Sequence, residues 1–284
     1  MSFMLRWSGH VLDLNQRTCI MGILNVTPDS FSDGGRYFRF DKAVEHGLEM
    51  AGSGADIIDV GGESTRPYSQ RISANEEIDR VTPIIEALAK ELAIPLSIDT
   101  YKSEVAQEAL KAGASMINDI SAFRFDPNMA SIAAGAGVPV ILMHMKGTPQ
   151  YMQDNPVYEN LMPEIINFFQ DAIKRSVKAG VKEDLIILDP GIGFGKTFDD
   201  NIRIIRELSV FASLQRPILL GTSNKAFIGH ILDKESHERD TGTMATVAAG
   251  VMAGAHIVRV HNVQKALETV RTIDAIKRGK IPDS

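Results

Sequence analysis

Ala55-Asp56-Ile57-Ile58-Asp59-Val60, followed by Gly61-Gly62-Glu63-Ser64-Thr65-Arg66-Pro67, is the stretch whose reading decides the fold. A short apolar run ends in a turn of glycine, acid and hydroxyl residues. An amphipathic stretch follows, with Ile78, Val81, Ile84, Ile85, Leu88 and Leu92 at steps of three and four, the spacing of one buried helix face. The next apolar run, 94–98, comes directly after. This is one strand–turn–helix unit.

The unit recurs in both directions along the chain. Apolar runs occupy 19–26, 55–60, 94–98, 115–118, 138–143, 185–188, 217–220 and 256–260, eight in all. They are continuous rather than alternating, as parallel strands buried on both faces require. Leu161, Ile165, Phe168, Phe169, Ile173 and Val177 mark a second amphipathic helix. Pro83 and Pro163 are expected in early helical turns, where proline is tolerated. Lys111-Ala112-Gly113 and Lys178-Ala179-Gly180 read as helix stops, lysine meeting the negative helix end and glycine the left-handed turn. Eight such units predict an α/β (β/α)₈ barrel, one domain over residues 1–284, with the longer strand-to-helix loops carrying function. Val11-Leu12-Asp13-Leu14 reads as part of a short N-terminal hairpin closing the barrel bottom. An open doubly wound sheet is the other topology that βα alternation allows.

Composition narrows the function classes. The chain has 284 residues and a net charge of −6, which gives no reason to expect nucleic acid or an anionic membrane as partner. A single cysteine, Cys19, excludes an intrachain disulfide and a cysteine zinc site. The start lacks a basic segment followed by an apolar run, so no signal peptide is expected and the cytoplasm is the default. The uncharged stretch 241–258 has the length of a membrane span. Its threonines, glycines and closing histidine make it a small-residue helix feeding a buried strand.

Polar residues just past the strand ends are the site candidates in such a fold: Asn25, Glu63 with Thr65, Asp99, Asn118, His144, Asp189, Lys225, and Arg259 with His261. Asp99, Asn118 and Asp189 could accept paired N–H donors from a heterocycle with an amidine-like edge; helix capping is the competing reading for both acids. Arg259 and His261, two apart on an extended segment, project to one side. With Lys225 they could hold a phosphate or pyrophosphate, the competing reading being an arginine salt-bridged in the barrel mouth. Gly191-Ile192-Gly193-Phe194-Gly195-Lys196 matches neither the dinucleotide fingerprint nor the P-loop. No histidine cluster has metal-ligand spacing and no serine sits in a G-x-S-x-G elbow.

Several stretches together resemble the bacterial dihydropteroate synthases, a pterin-binding barrel family. They are Met21 to Gly35, beginning Met-Gly-Ile-Leu-Asn-Val-Thr-Pro-Asp-Ser, Asp59-Val60-Gly61-Gly62-Glu63-Ser64-Thr65-Arg66-Pro67, Met143-His144-Met145-Lys146-Gly147-Thr148-Pro149, Asp189 to Lys196, and Arg259-Val260-His261. The resemblance implies a homodimeric transferase of the folate pathway. It would join 6-hydroxymethyl-7,8-dihydropterin pyrophosphate to 4-aminobenzoate and release pyrophosphate with Mg²⁺ bound. It implies that Asp99, Asn118, Asp189 and Lys225 hold the pterin, and that Asn25, Arg259 and His261 hold the pyrophosphate, with Asn25 the magnesium ligand. Thr65 would position substrate, and Phe31, Asp33, Pro67 and Ser223 would close over the aminobenzoate. Two positions depart from the family pattern: Asn224 stands where arginine is usual, and Asn262 where aspartate is usual. A tetrahydrofolate-dependent corrinoid methyltransferase and a non-catalytic pterin-binding paralogue are the alternative readings.

Overall fold

The computed structural model describes residues 2–27, 36–65 and 69–281. Two strands, β1 (Met4–Trp7) and β2 (His10–Asp13), come first. Eight more follow: β3 (Cys19–Asn25), β4 (Ile57–Gly61), β5 (Leu96–Asp99), β6 (Met116–Asp119), β7 (Val140–Met143), β8 (Ile186–Asp189), β9 (Leu219–Leu220) and β10 (Ile257–Val260). They form one parallel sheet in the order β8-β7-β6-β5-β4-β3-β10-β9. Each apolar run read from the sequence therefore holds one strand. The ends are trimmed by a residue or two where proline or a turn removes a ladder donor, as at Pro95 and Pro217.

Closure decides between the two topologies. The last strand in the order returns to the first through a parallel bridge, Leu188 to Ile218, with Leu188 N donating to Pro217 O at 2.9 Å. An open doubly wound sheet has two free edges, so the barrel reading holds. The seam is short because β9 has two residues and Pro217 has no N–H to offer.

The helices α1 (Arg36–Gly52), α2 (Ala74–Glu91), α3 (Ser103–Ala112), α4 (Met129–Ala136), α5 (Leu161–Lys178), α6 (Phe198–Arg206), α7 (Ala226–Leu232), α8 (Asp240–Met252) and α9 (Val263–Arg278) surround the strands. Val81, Ile84, Ile85 and Leu88 bury the predicted face of α2, and Leu161, Ile165 and Phe169 that of α5. Gly113 ends α3 in the left-handed region at φ 118°. One expectation is corrected: α2 starts at Ala74, capped by Ser73 Oγ, so Pro83 lies in its middle and not in an early turn. The helix runs through it, with Pro83 itself exposed, because Val81, Ile84, Ile85 and Leu88 on either side are buried against the core. The uncharged stretch 241–258 is α8 running into β10, and no helix among the described residues is long and apolar enough to cross a membrane.

β1 and β2 pair antiparallel with Leu5 opposite Leu12, and Leu5, Trp7, Leu12 and Leu14 are buried. The hairpin lies at the strands' N-terminal ends. Phe3 meets the His256 ring edge-on at 5.0 Å, and β1 packs on the 183–185 turn that opens β8. The expected plug at the barrel bottom is therefore present, and the opposite end is left open for chemistry.

Candidate active site

Register builds the site before any side chain is considered. Asn25 pairs with Gly61, Gly61 with Asp99, and Asp99 with Asn118, so these four form one row across β3, β4, β5 and β6. Gly61 sits between the side chains of Asn25 and Asp99. A methyl there would stand 3.7 Å from both Asn25 Oδ1 and Asp99 Oδ2. Asp189 ends β8 and Arg259 lies in β10, closing the ring of polar groups.

Asp59 is the centre of this cluster. It is fully buried, and its Oδ2 accepts from Arg259 Nε at 2.6 Å and from Asn118 Nδ2 at 2.9 Å. Arg259 Nη2 donates to Asp99 Oδ2 at 2.7 Å. One guanidinium thus spans two carboxylates, and a salt-bridged arginine in the mouth is what forms. Asp59 Oδ1 and Asp99 Oδ1 are buried without a hydrogen-bond partner among the described residues. Burial pushes the Asp99 carboxyl well above the usual range, while Arg259 opposes that and Asp59 adds to it. Burial also works against the Arg259 charge, but Asp59 and Asp99 outweigh it and hold the guanidinium firmly protonated.

Asp189 Oδ1 accepts from Gly191 N at 2.7 Å. Its Oδ2 faces Gly221, where an added methyl would lie 3.9 Å from it and 3.8 Å from Arg259 Cβ. Burial raises the Asp189 carboxyl, with the Gly191 hydrogen bond and Lys225 opposing. Neither Asp99 nor Asp189 caps a helix: α3 takes Lys102 and α6 takes Thr197 as N-caps. Lys225 stands with Nζ 4.4 Å above the Phe194 ring. Burial and Arg259 bring its ammonium down to about 8, against the pull of Asp189 and Asp99. Ser223 Oγ lies 2.8 Å from His261 Nδ1 and accepts from His261 N at 3.2 Å. Arg259 thus reaches across to β4 and β5, whereas His261 turns to the loop after β9. Thr65 is half-buried on the loop after β4. Phe31, Asp33 and Pro67 lie outside the described residues.

The acids and bases therefore interleave instead of forming separate acidic and cationic zones. The reading from sequence missed Asp59, although an acid inside an unbroken apolar run is a signal in itself, since burial demands a partner. It also missed the apolar floor of Tyr101, Ile120, Met143, Met145 and Met152, on which Phe125 and Phe194 pack. His144, ambiguous by sequence, is buried behind the site with Nδ1 2.9 Å from Lys196 Nζ. Lys196 also donates to Gly191 O at 2.9 Å and Phe194 O at 3.0 Å. The failed P-loop lysine is thus a strut for its own loop. Cys19 is a buried strand residue whose thiol burial pushes up to about 12.

Both departures from the family pattern have local accounts. Asn224 is in the left-handed region at φ 56°, which asparagine adopts more readily than arginine, and Arg239 Nη1 donates to its carbonyl at 3.0 Å. Asn262 Oδ1 caps α9 by accepting from Lys265 N, while its Nδ2 donates to Asp240 Oδ2 at 2.8 Å. Among the described residues no group of three or more His, Cys, Asp or Glu could hold a metal ion.

A closed eight-stranded parallel barrel, with carboxylates, an amide and cations at its C-terminal mouth over an apolar floor, defines a barrel enzyme for a small, flat, polar ligand. Known proteins agree. The family described as pterin binding enzyme matches residues 21–261. The dihydropteroate synthase of Bacillus subtilis is 49% identical over 265 residues, 93% of this chain and 90% of that one. The structure of Yersinia pestis dihydropteroate synthase with a sulfonamide drug complex superposes with a TM-score of 0.92 at 43% identity, covering 97% of this chain and all of that one. That of Xanthomonas albilineans dihydropteroate synthase with 4-aminobenzoic acid gives 0.91 at 40% identity, covering 98% and 99%. The chain belongs to the dihydropteroate synthases of the pterin binding enzyme family.

Proposed function

We propose that this transferase condenses 6-hydroxymethyl-7,8-dihydropterin pyrophosphate with 4-aminobenzoate, giving 7,8-dihydropteroate and pyrophosphate for folate biosynthesis. The observation that carries the reading is the gathering of buried Asn118 and Asp189 with half-buried Asp99, Lys225 and Arg259 at one barrel mouth. A pterin offers a row of N–H donors and a carbonyl. Asp189 and Asp99 suit the donors, and Lys225 suits the carbonyl. Asn118 has its Nδ2 committed to Asp59, so its Oδ1 is the atom it has to offer a ligand, as an acceptor. The Phe194 ring and the methionines supply the apolar face beneath.

In the reaction the bond between the pterin methylene and the diphosphate oxygen breaks, and the electron pair leaves with the diphosphate. The arylamine nitrogen then forms the new C–N bond and loses a proton to the released diphosphate or water. Breaking first leaves a delocalised pterin cation. The carboxylates Asp99 and Asp189 favour that cation electrostatically, and the low-dielectric mouth strengthens the effect. An arylamine is already nucleophilic, so no strong general base is required. Arg259, His261 and Asn25 are the groups for the diphosphate. The donor set would suit magnesium only as an ion shared with substrate: Asn25 would hold it through one neutral oxygen, and the remaining ligands would have to come from outside the protein. When bound, it would neutralise charge developing on the leaving diphosphate. Phe31, Asp33, Pro67 and Ser223 are read as closing over the aminobenzoate, in keeping with the aminobenzoic acid bound by the Xanthomonas albilineans relative, and Thr65 as positioning substrate from the loop after β4.

Incubation with Mg²⁺, the pterin pyrophosphate and 4-aminobenzoate tests this reading. Pyrophosphate release that depends on both substrates supports it, and no release favours a non-catalytic pterin-binding paralogue. We read the protein as cytoplasmic and as a homodimer. An apolar strip supports the second point: Phe198 and Ile202 of α6 and Ile231 of α7 are 41%, 42% and 60% exposed, and α6 and α7 pack side by side.

A further inference from the structure

A cleft of about 1110 Å³ opens at the end of the barrel opposite the polar mouth. It lies between the chain entering β3, the turn at Gly54 after α1, and the last three turns of α9. Its charge is one-sided. Arg17, Arg271, Arg278 and Lys280 line it against a single carboxylate, Asp274, in a chain whose net charge is −6. That carboxylate is already committed: Asp274 is buried, its Oδ2 accepting from Thr18 N at 2.8 Å and its Oδ1 from Thr18 Oγ1 at 2.9 Å. Arg17 is held by Asp56, with Nη1 donating to Oδ2 at 2.7 Å. Arg271, Arg278 and Lys280 are exposed, and among the described residues they make no hydrogen bond or ion pair.

Helix-end electrostatics account for part of this cluster only. Arg278 and Lys280 flank the C-terminus of α9, which ends at Gly279 with φ 67°, and cations are favoured there. Arg271 stands two turns earlier, outside the last turn to which that effect is confined. Two full turns also bring Arg271 and Arg278 to the same side of the helix. Leu267 and Val270 give the cleft an apolar part beside these cations. Gly54, at φ 99°, keeps that part open: a methyl there would come within 2.8 Å of Leu267 Cδ2. Cations next to aliphatic wall suit an anion with an organic body better than a bare ion, and the volume is at the upper end of the range for small-molecule sites.

We propose that this cleft is a second anion site, taking an organic phosphate of nucleotide size. Its phosphates would lie against Arg271, Arg278 and Lys280, and its organic body against Leu267 and Val270. None of the lining residues belongs to the mouth, so the site stands apart from the transferase reading and does not depend on it.

Calorimetry on the full chain without Mg²⁺ tests the site, with ADP and inorganic pyrophosphate as the two probes. The wild type should bind ADP, and bind it more tightly than pyrophosphate. Arg271→Glu and Arg278→Glu should each weaken ADP binding at least about tenfold, through a lost charge-assisted contact and a new repulsion, while Tm stays unchanged because both side chains are exposed. The affinity should also fall as salt is added. A second readout needs no variant: ADP should slow tryptic cleavage after Arg278 in the wild type, which places the nucleotide at this end of the barrel. No ADP binding at millimolar concentration overturns the proposal. So does binding that both reversals leave intact, because that nucleotide sits in the mouth. Absence of tryptic protection overturns it whatever the variants show. Pyrophosphate that binds as tightly as ADP overturns the assignment to an organic phosphate.

Discussion

Asp189 and Lys225 show how a single residue's surroundings set its task. Asp189 has one oxygen committed to its own loop and the other facing the mouth. Asp189→Asn keeps the shape and removes the charge, so pterin affinity should fall by more than about tenfold through loss of a charge-assisted pair. Near-normal affinity by calorimetry would refute that role. Lys225, brought down to about 8 by burial and Arg259, is charged below that pH and neutral above it. Affinity for the anionic substrate should therefore decline as pH rises through about 8. Lys225→Arg, which stays protonated, should flatten that alkaline limb even if its overall affinity is lower. A limb unchanged in Lys225→Arg assigns the titration to another group. Asp59 makes the opposite point about legibility. Its position within Ile57-Ile58-Asp59-Val60 marks it as unusual, yet its partners Arg259 and Asn118 are 200 and 59 positions away. No local pattern names them.

The loop between β8 and α6 is where backbone, more than side chains, shapes the site. Gly191 adopts φ 69°, and a methyl there would come within 2.0 Å of His144 O. Gly195 is similarly placed, at φ 62° and 2.3 Å from Lys146 O. The close approach lets Lys196 gather the carbonyls of 191 and 194 and set Phe194 under Lys225. Gly191→Ala combines left-handed strain with a backbone collision, so it should cost about 3 kcal/mol or more in urea unfolding. A stability within about 1 kcal/mol of wild type would show that the loop can move aside. Strand existence was readable from the apolar runs, because burial on both faces leaves no room for alternation. Helix limits were less so. Pro83 was placed one or two turns too early, because α2 begins at a serine cap outside its apolar stripe.

The barrel closes through a single bridge at Leu188–Ile218, its weakest seam, while the N-terminal hairpin covers the opposite end. The apolar strip on α6 and α7 gives assembly a specific prediction. Ile231→Glu should shift the protein from dimer to monomer in light scattering, with pterin binding retained because the strip lies on the outer helices. A wild-type protein already monomeric at micromolar concentration removes the basis for the dimer. The net charge of −6 does not weigh against the proposed anionic substrate, because charges in a mouth of low dielectric act locally.

Eight apolar runs, their helical partners and the polar residues past each strand were determined by the sequence alone, since burial periodicity and turn chemistry are local properties. The motifs added the family. Whether the sheet closed, which carboxylate held Arg259, and how the last helix met the chain entering β3 were decided only by the tertiary structure. The physical reason is separation along the chain: these contacts join residues up to 256 positions apart. Their partners are chosen by strand register and barrel closure, which no window of sequence contains.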